Sequence, residues 1–430
     1  MLVGPQVRRV AVVGGVRIPF ARAHGAYAMG TNQAMLTAAL QGLVDRNRLA
    51  GLRLGEVAAG AVTKHSRDFN LARESVLGTT LDPHTPAFDL QRACGTSLEA
   101  AIAVGNKIAL GQIECGIAAG VDTVSDPPVV FRRAAQQLLL RAYRGRTAWE
   151  RLRPFLGLRP SHFVPQLPDP GEPRTKLSMG ASCERMAQRW RIPRIAQDQL
   201  ALDSHRHAAA AWRDGFFDDL VVPFMGLAQD DNVRSDSTLE KLGKLRPSFE
   251  RSFAGTLTAG NSTPLTDGAA AVLLASEAWA RSRGLPILAW LTYGKAWAVD
   301  FVGGEEGLLM APAYAVPAML ADAGLSLQDF DFYEIHEAFA AQVLCTLAAW
   351  ESDEFCRDRL GRGQALGMID RSRLNVRGSS LAIGHPFAAT GARIVATLAK
   401  LLANEPSARR GLISVCTAGG MGVTAILERA

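Results

Sequence analysis

SLEAAIAVGNKIALGQIECGIAAGV, residues 97–121, is the stretch that decides the fold. Its first part is apolar except for a few polar side chains, notably Glu99, Asn106 and Lys107, and it predicts a helix. Its last part, CGIAAGV at 115–121, is a short apolar run that predicts a strand. A helix with so few polar side chains is expected to lie between two layers of structure rather than at the surface.

The same alternation of strand and helix extends in both directions from this stretch. Upstream, VAVVGG and EVAAGAV predict strands on either side of the helix NQAMLTAALQGLVDRN. Downstream, residues 268–430 repeat the theme, with AAAVLLAS, PILAWLTYG, APAYAVPAMLADAG, DFYEIHEAF, GARIVATLAKLLA and GLISVCTAGG. Alternating elements predict an α/β fold built on parallel strands with crossover helices.

The segment between these two regions is different in character. It is rich in Arg, Pro and polar residues and has no regular periodicity. We therefore predict three parts: an N-terminal half at 1–122, an inserted loop domain at 123–255 and a C-terminal half at 256–430. A chain of 430 residues is long enough for two or three domains.

Composition indicates a soluble globular enzyme. The chain is 48% hydrophobic and 20% charged, and no stretch is long and apolar enough to predict a transmembrane helix. The apolar run at the N-terminus is too short for a signal peptide, so a cytoplasmic location is expected. The six cysteines form no CxxC pair, which favours reduced thiols over disulfides or a metal site.

Positive charge is concentrated in residues 131–160. The segment holds eight arginines and one acidic residue, Glu150, so its net charge is +7. Because the whole chain carries +6, the remaining residues are slightly negative in sum. Aromatic and aliphatic residues such as Trp149 lie between the arginines. As a helix, the segment would carry one apolar face, formed by Ala135, Leu138, Leu139 and Ala142. Two interpretations remain open: a solvated helix that covers the active-site entrance, or an element that contacts a membrane surface or a partner.

Cys94, in QRACGTSLEAA, is a candidate nucleophile. It directly precedes a predicted helix, so unpaired backbone N–H groups and the positive helix end should lower the pKa of its thiol. The alternative is a small buried cysteine without a chemical role.

His385 and Cys416 are the second and third candidates. His385, in AIGHPFAATGAR, also precedes a helix, and Pro386 suits that helix's first turn. Cys416, in SVCTAGGMG, is followed by small residues whose amides can approach a substrate carbonyl. Considered separately, His385 could have a purely structural role, and Cys416 could be a cysteine that only packs in the core. Two thiols and an imidazole at such junctions predict acyl transfer through a thioester.

These residues and several other motifs closely resemble the thiolase family over nearly the whole chain. The resemblance rests on these stretches, in chain order: Arg17-Ile18-Pro19-Phe20, Cys94, Thr258-Ala259-Gly260-Asn261-Ser262, Asp267-Gly268-Ala269-Ala270, His336-Glu337-Ala338-Phe339-Ala340, Asn375, Gly384-His385-Pro386, Thr390-Gly391-Ala392-Arg393, and Cys416 with Gly419-Gly420-Met421-Gly422. The HEAF motif at 336–339 is similar to that of the trifunctional-enzyme β-subunit and its bacterial relatives.

The resemblance implies a five-layered α-β-α-β-α thiolase fold, made of two similar halves and a loop domain that binds coenzyme A. It implies reversible ping-pong chemistry in which Cys94, deprotonated by His385, attacks a 3-ketoacyl-CoA and becomes an acyl-cysteine. Cys416 would protonate the departing acetyl-CoA carbanion and later deprotonate the incoming CoA thiol.

The resemblance also assigns supporting roles. His336 would hold a water that, with His385, binds one thioester oxygen, and the backbone N–H groups of Cys94 and Ala418 would bind the other. CoA is implied as a co-substrate, with no permanently bound cofactor and no metal. The positions that match the family's CoA contacts are Met179, Thr263, Ala338 and Phe339.

The sequence departs from the commonest family pattern at several of these positions. His336 stands where asparagine is usual, Ser379 where the second of two glycines is usual, and Ala418 where glycine is usual. A histidine can still hold a water, and alanine supplies the same N–H group. Ser178 replaces a histidine that often precedes Met179, and Glu337 is interpreted as a buried structural carboxylate.

The interpretation is an acyltransferase of fatty acid β-oxidation, a 3-ketoacyl-CoA thiolase. The alternatives are a biosynthetic acetoacetyl-CoA thiolase and an inactive scaffold that binds acyl-CoA; a ketoacyl synthase lacks the second cysteine. The predicted partners are acyl-CoA and CoA, a second copy of the chain in a homodimer or homotetramer, an α-subunit of β-oxidation, and a membrane surface at 131–160. No nucleic acid partner is expected, because no recognition fold accompanies the charge.

Overall fold

The computed structural model describes residues 7–303 and 305–430, so the first six residues of the N-terminal run lie outside the described residues. The strands are β1 Val10–Arg17, β2 Ala21–Arg22, β3 Glu56–Ala59, β4 Ala87–Asp89, β5 Cys115–Asp122, β6 Val130–Phe131, β7 Pro165–Gln166, β8 Thr266–Ser276, β9 Ala289–Ala298, β10 Phe332–Ile335, β11 Arg410–Thr417 and β12 Met421–Arg429. The helices are α1 Asn32–Arg46, α2 Leu71–Leu77, α3 Thr96–Ala109, α4 Arg133–Arg144, α5 Ala148–Leu152, α6 Met179–Arg189, α7 Arg194–Arg213, α8 Leu239–Gly243, α9 Glu277–Ser282, α10 Ala311–Ala323, α11 Ala340–Glu351, α12 Asp353–Leu360, α13 Ser380–Ile383 and α14 Thr390–Asn404.

The N-terminal sheet has the order β4-β3-β5-β8-β1. β3 is parallel to β4 and β5, but β8 runs antiparallel to both β5 and β1. The sheet is therefore mixed, and the prediction of parallel strands holds here only for β3, β4 and β5. β8 also lies within the predicted C-terminal half, at 256–430, yet it is a central strand of the N-terminal sheet. Its buried run TDGAAAVLLAS suits a central strand, but sequence order alone does not reveal which strands it pairs with.

The C-terminal sheet has the order β10-β11-β12-β9, with β10 parallel to β11 and the other pairs antiparallel. The two sheets join where β1 meets β9, through the pairs Ala11–Trp290 and Val12–Ala289. Elsewhere they diverge and leave room for helices between them.

Helices α3 and α14 fill the space between the two sheets. One buried apolar cluster contains Val104 of α3 and Val395 of α14, together with Leu274 of the N-terminal sheet and Val423 of the C-terminal sheet. α1 covers the outer face of the N-terminal sheet, and α10 and α11 cover that of the C-terminal sheet. The layers are thus α-β-α-β-α, which confirms the predicted architecture and the buried position of α3.

The arginine-rich segment forms a separate helical element. It contains α4 and α5 and is flanked by the short antiparallel pair of β6 and β7. On α4, Ala135 and Ala142 are buried and Leu138 is half-buried, as the predicted apolar face requires, whereas Leu139 is 41% exposed. None of the helices in the described ranges is long and apolar enough to cross a membrane.

Candidate active site

Cys94 lies on a tight turn between β4 and α3. The turn is closed by the Thr96 hydroxyl, which accepts from the Arg92 N–H at 2.9 Å and donates to the Ala93 carbonyl at 2.7 Å. Ala93 has φ +44°, a left-handed conformation that a non-glycine residue adopts only at a cost. This strained turn holds Cys94 just ahead of the first residue of α3.

The backbone N–H groups of Ala418 and of Cys94 itself lie near the sulfur of Cys94. They lower the pKa of the thiol, but burial raises it more, and the charge of Asp122 adds to the rise, so the pKa reaches about 12. The sequence had suggested a lowered pKa, and that expectation was wrong. The helix end and amides do not offset the loss of hydration around the sulfur.

His385 follows Gly384, whose φ of +107° is open to glycine alone and whose added Cβ would lie 2.7 Å from Thr266. The imidazole is buried, with Nδ1 2.6 Å from the hydroxyl oxygen of Thr390. Burial, together with the positive charge of Arg393, lowers the pKa of His385 to about 3. The imidazole is therefore neutral at physiological pH and able to accept a proton.

The segments that carry Cys94 and His385 are packed together. Ser97, in the first turn of α3, accepts a hydrogen bond from the Ala392 N–H in the first turn of α14 at 2.8 Å. An added Cβ at Gly391 would lie 2.3 Å from the backbone nitrogen of Leu98, so only glycine permits this approach. The N-terminal ends of the two central helices thus meet.

Cys416 is the penultimate residue of β11 and is buried. Burial raises the pKa of its thiol, and electrostatic interaction with Cys94 raises it further, so the two sulfur atoms lie within interaction range. Two residues beyond Cys416, the Ala418 N–H reaches the Cys94 sulfur. One turn of the chain therefore supplies both a second thiol and a hydrogen-bond donor to the first.

His336 follows β10 and stacks against His385, with the ring centroids 4.1 Å apart. Its Nδ1 is 2.9 Å from the hydroxyl oxygen of Ser380. Its Nε2 is buried and has no hydrogen-bond partner among the residues the structure describes. Burial lowers the pKa of His336 well below the usual value, as do His385 and Arg393, so this ring is also neutral.

Glu337, the next residue, joins separate parts of the chain. Its carboxylate accepts from the Ser204 hydroxyl and the Asn375 side-chain amide, both at 2.7 Å, and from the Leu381 N–H at 3.2 Å. These bonds tie α7 to the segment before α13. The contacts match the structural role that the sequence suggested for this carboxylate.

The positions predicted to contact CoA lie next to Cys416. Met179, the first residue of α6, packs against the buried cluster that contains Ala338, Phe339 and Cys416. The Thr263 N–H donates to the Ala338 carbonyl at 3.0 Å.

Sequence analysis did not single out Glu172 or Ser380, and the structure places both at the site. A carboxylate oxygen of Glu172 accepts from the Gly419 N–H at 2.7 Å, which fixes the peptide next to Ala418. Glu172 comes from the irregular segment before α6, where no periodicity or motif signals a role. Ser380 lies between the matched residues Asn375 and Gly384, but its contact with His336 depends on the fold.

The resting pair of Cys94 and His385 is a thiol and a neutral imidazole, because burial shifts their pKa values in opposite directions. We expect alkylation of Cys94 by iodoacetamide to accelerate about tenfold per pH unit between about pH 6 and pH 9. Over that range the thiolate is a minor species whose fraction grows with pH. Mass spectrometry of the peptide that carries Cys94 measures the rate. A plateau below pH 8 would instead indicate a preformed thiolate–imidazolium pair.

Comparison with known proteins agrees with this fold. The family model for the thiolase N-terminal domain matches residues 10–278, and that for the thiolase C-terminal domain matches residues 290–429. The chain is 42% identical to a 3-ketoacyl-CoA thiolase of Pectobacterium atrosepticum over 431 residues, which cover 98% of this chain and 96% of the relative. It is 40% identical to a 3-ketoacyl-CoA thiolase of Yersinia pestis over 438 residues, covering 99% and 98% of the two chains.

Solved structures give the same result. Human mitochondrial 3-ketoacyl-CoA thiolase in complex with CoA superimposes with a TM-score of 0.80 at 26% identity, covering 98% of both chains. The acetyl-CoA acetyltransferase of Bacillus anthracis also gives a TM-score of 0.80, at 28% identity, covering 99% of this chain and 100% of that one. The fold and the matches together define the class of this protein, an acyltransferase. The chain belongs to the thiolase family.

Proposed function

We propose that this protein is a 3-ketoacyl-CoA thiolase, which cleaves 3-ketoacyl-CoA with CoA to give acetyl-CoA and a shortened acyl-CoA. The observation that carries the proposal is the pairing of two thiols. The Cys416 thiol lies close enough to Cys94 for the charge on one sulfur to raise the pKa of the other, and the N–H two residues beyond Cys416 lies close enough to lower the pKa of the Cys94 thiol. A second thiol beside a nucleophile suits a reaction that must also protonate a carbon leaving group.

The first half-reaction begins at Cys94. His385 Nε2 takes the thiol proton as the sulfur attacks the 3-keto carbon, because the thiol is not ionised beforehand. The bond between C2 and C3 then breaks, the acyl group remains on Cys94, and the electron pair leaves as the acetyl-CoA carbanion. Cys416 gives its proton to that carbanion and becomes a thiolate, so the products are acyl-cysteine and acetyl-CoA.

The second half-reaction uses the Cys416 thiolate. It removes the proton from the thiol of incoming CoA, and the CoA sulfur attacks the acyl carbon on Cys94. The acyl–Cys94 bond breaks, and His385 returns its proton to the Cys94 sulfur. Run backwards, the same steps condense two thioesters, with Cys416 abstracting a proton from the carbon next to a thioester.

Both half-reactions develop negative charge on a thioester oxygen, and two sets of donors are available. The Cys94 and Ala418 N–H groups form one set. His336, through a water, and His385 form the other, and Nε2 of His336 has no partner within the described residues that would compete. One such donor is worth about 10²–10³ in kcat in comparable enzymes.

Substrate length separates the degradative enzyme from the biosynthetic alternative. If the protein serves β-oxidation, we expect kcat/KM for thiolysis of 3-ketohexadecanoyl-CoA to exceed that for acetoacetyl-CoA. A pocket that accepts a long chain gains apolar contact with it. Initial rates of substrate loss with both compounds provide the measurement. Turnover of acetoacetyl-CoA alone would favour the biosynthetic alternative, and no turnover of either would favour an inactive scaffold.

The arginine-rich element suits contact with an anionic membrane surface. Large apolar side chains project from it into solvent beside the arginines: Tyr143 is 86% exposed, Trp149 64% and Leu156 77%. Interfacial elements combine such apolar groups with positive charge. We include peripheral membrane association through 131–160 in the proposed function. An oligomer of two or four copies, an α-subunit partner and a cytoplasmic location stay predictions.

Vesicle pelleting tests this element. We expect the protein to pellet with phosphatidylglycerol vesicles at low salt and less at high salt, because the attraction is electrostatic. Deletion of 131–160, or the triple change Tyr143→Ser, Trp149→Ser and Leu156→Ser, should reduce pelleting severalfold. Met368→Ser, at a 72% exposed methionine outside the element, is the matched control and should have no effect. Equal pelleting of all variants would favour a solvated helix.

A further inference from the structure

A chain of buried hydrogen-bonding groups runs from the guanidinium of Arg393 through Ser380 to His336. Arg393 on α14 donates from Nη2 to the hydroxyl oxygen of Ser380 at 2.8 Å. That hydroxyl lies 2.9 Å from Nδ1 of His336. All three side chains are buried, and Glu334, also buried, lies 3.9 Å from the guanidinium as its counter-ion.

The chemistry of these groups fixes the direction of each hydrogen bond. A guanidinium has donors and no acceptor, so Ser380 must accept from Arg393. The single hydrogen of the Ser380 hydroxyl is then free to point at Nδ1 of His336. Within the described ranges, that hydroxyl makes hydrogen bonds only with Arg393 and His336. If Nδ1 donated instead, the Ser380 hydroxyl hydrogen would be buried without a partner, which is costly. We therefore assign Nδ1 as the acceptor, with the ring proton of the neutral imidazole on Nε2.

The free nitrogen of His336 faces the site as a donor. Nε2 is buried without a partner in the described part of the chain, and an unpaired buried N–H is costly unless a ligand or water completes it. The ring lies against His385, whose Nδ1 contacts Thr390 rather than an arginine-bound hydroxyl. The Nδ1 atoms of the two neighbouring imidazoles therefore contact different hydroxyl groups, that of Ser380 for His336 and that of Thr390 for His385.

We propose that Ser380 and Arg393 are positioning residues that lock His336 in its Nε2–H form, so that it always donates toward the thioester oxygen while His385 remains the base. The inference rests on the proposed function for the identity of the oxygen. The lock itself is a property of the free protein. With the opposite tautomer, Nε2 would take one hydrogen of the bridging water instead of donating to its oxygen, which would leave that water a weaker donor to the developing oxyanion.

A double-mutant cycle separates this role from simple packing. Asparagine at position 336 would donate through an amide that needs no tautomer, so its function should not depend on Ser380. We expect Ser380→Ala to lower kcat about 10–100-fold in the wild-type background, with KM little changed, as for loss of a transition-state donor. In the His336→Asn background, Ser380→Ala should change kcat less than about twofold. Ser379→Ala, which removes two 3.3 Å contacts with Arg393 and none with His336, is the matched control.

The outcomes decide between the two roles. Equal losses from Ser380→Ala in both backgrounds, or no loss in either, would overturn the positioning role. Arg393 is not varied alone, because its loss would leave the Glu334 carboxylate buried without a counter-ion. Melting temperatures of the variants show whether each has folded.

A second readout needs no turnover. In protein labelled with ¹⁵N-histidine, the His336 signals, assigned by their loss in His336→Asn, should show a proton on Nε2 and none on Nδ1. Ser380→Ala should produce a mixture of tautomers. A proton on Nδ1 in the wild type would overturn the lock whatever the enzyme's substrate. An Nε2–H signal without thiolase activity would instead refute the proposed function and leave the lock intact.

Discussion

Replacing Cys94 with alanine is expected to abolish acyl transfer, with kcat for thiolysis reduced on the order of 10⁴-fold or more. The side chain occupies a strained turn where two N–H groups converge on its sulfur, and alanine offers no nucleophile there. His385 and Cys416 would remain but could not form the acyl intermediate. Thiolysis rates, with melting temperature as a folding check, provide the measurement.

Cys115→Ala is the matched control for this change. Cys115 is a buried thiol on β5, where burial also raises the thiol pKa, to about 11, but it belongs to the cluster under α1. Its loss should leave kcat within about twofold and cost only the stability of a small cavity. Thiolysis that survives in Cys94→Ala would remove the proposed nucleophile.

Replacing Cys416 with alanine is expected to leave acylation of Cys94 intact but to block the condensation step, which requires removal of a proton from carbon. Cys94 and its two N–H donors would remain in place, since the Ala418 donor belongs to the backbone. The variant should still accept an acetyl group from acetyl-CoA onto Cys94. Condensation of two acetyl-CoA molecules should fall about 10²–10⁴-fold, because the base that removes the carbon-bound proton is absent.

Cys183→Ala is the control for a buried thiol close to Cys416. Cys183 on α6 is fully buried and interacts electrostatically with Cys416, so its loss tests packing without removing the base. The Cys183→Ala variant should retain both acylation and condensation. Normal condensation by Cys416→Ala would refute the proposed base, whereas loss of acylation as well would indicate that the change disturbs Cys94 itself.

The sequence predicted the layered architecture because the buried helices carry their own signal. The helix at α3 has so few polar side chains that only a position between sheets satisfies it, and the structure confirms this. It could not predict that β8 belongs to the N-terminal sheet. Strand pairing depends on where the chain re-enters after a long insertion, and that is not encoded in the local pattern.

The site shows the same division. Cys94, His385 and Cys416 could be named as candidates because reactive residues at the ends of strands and helices stand out in sequence. The protonation state of Cys94 could not be predicted in the same way. The pKa of a thiol depends on how much water the folded protein excludes from it, and sequence does not show this. Glu172 and Ser380 were missed for a related reason. Glu172 contacts Gly419 and Ser380 contacts His336, and both contacts join residues more than 40 positions apart. No rule of sequence spacing predicts such contacts.

The most direct test of the account is to find where an acyl group is carried. Cys416→Ala protein incubated with acetyl-CoA, digested with trypsin and analysed by mass spectrometry should carry one acetyl group. The account predicts it on Cys94, in the peptide ACGTSLEAAIAVGNK at 93–107, with none on that peptide after prior alkylation of Cys94. An acetyl group on another cysteine, or none on any peptide, would contradict it.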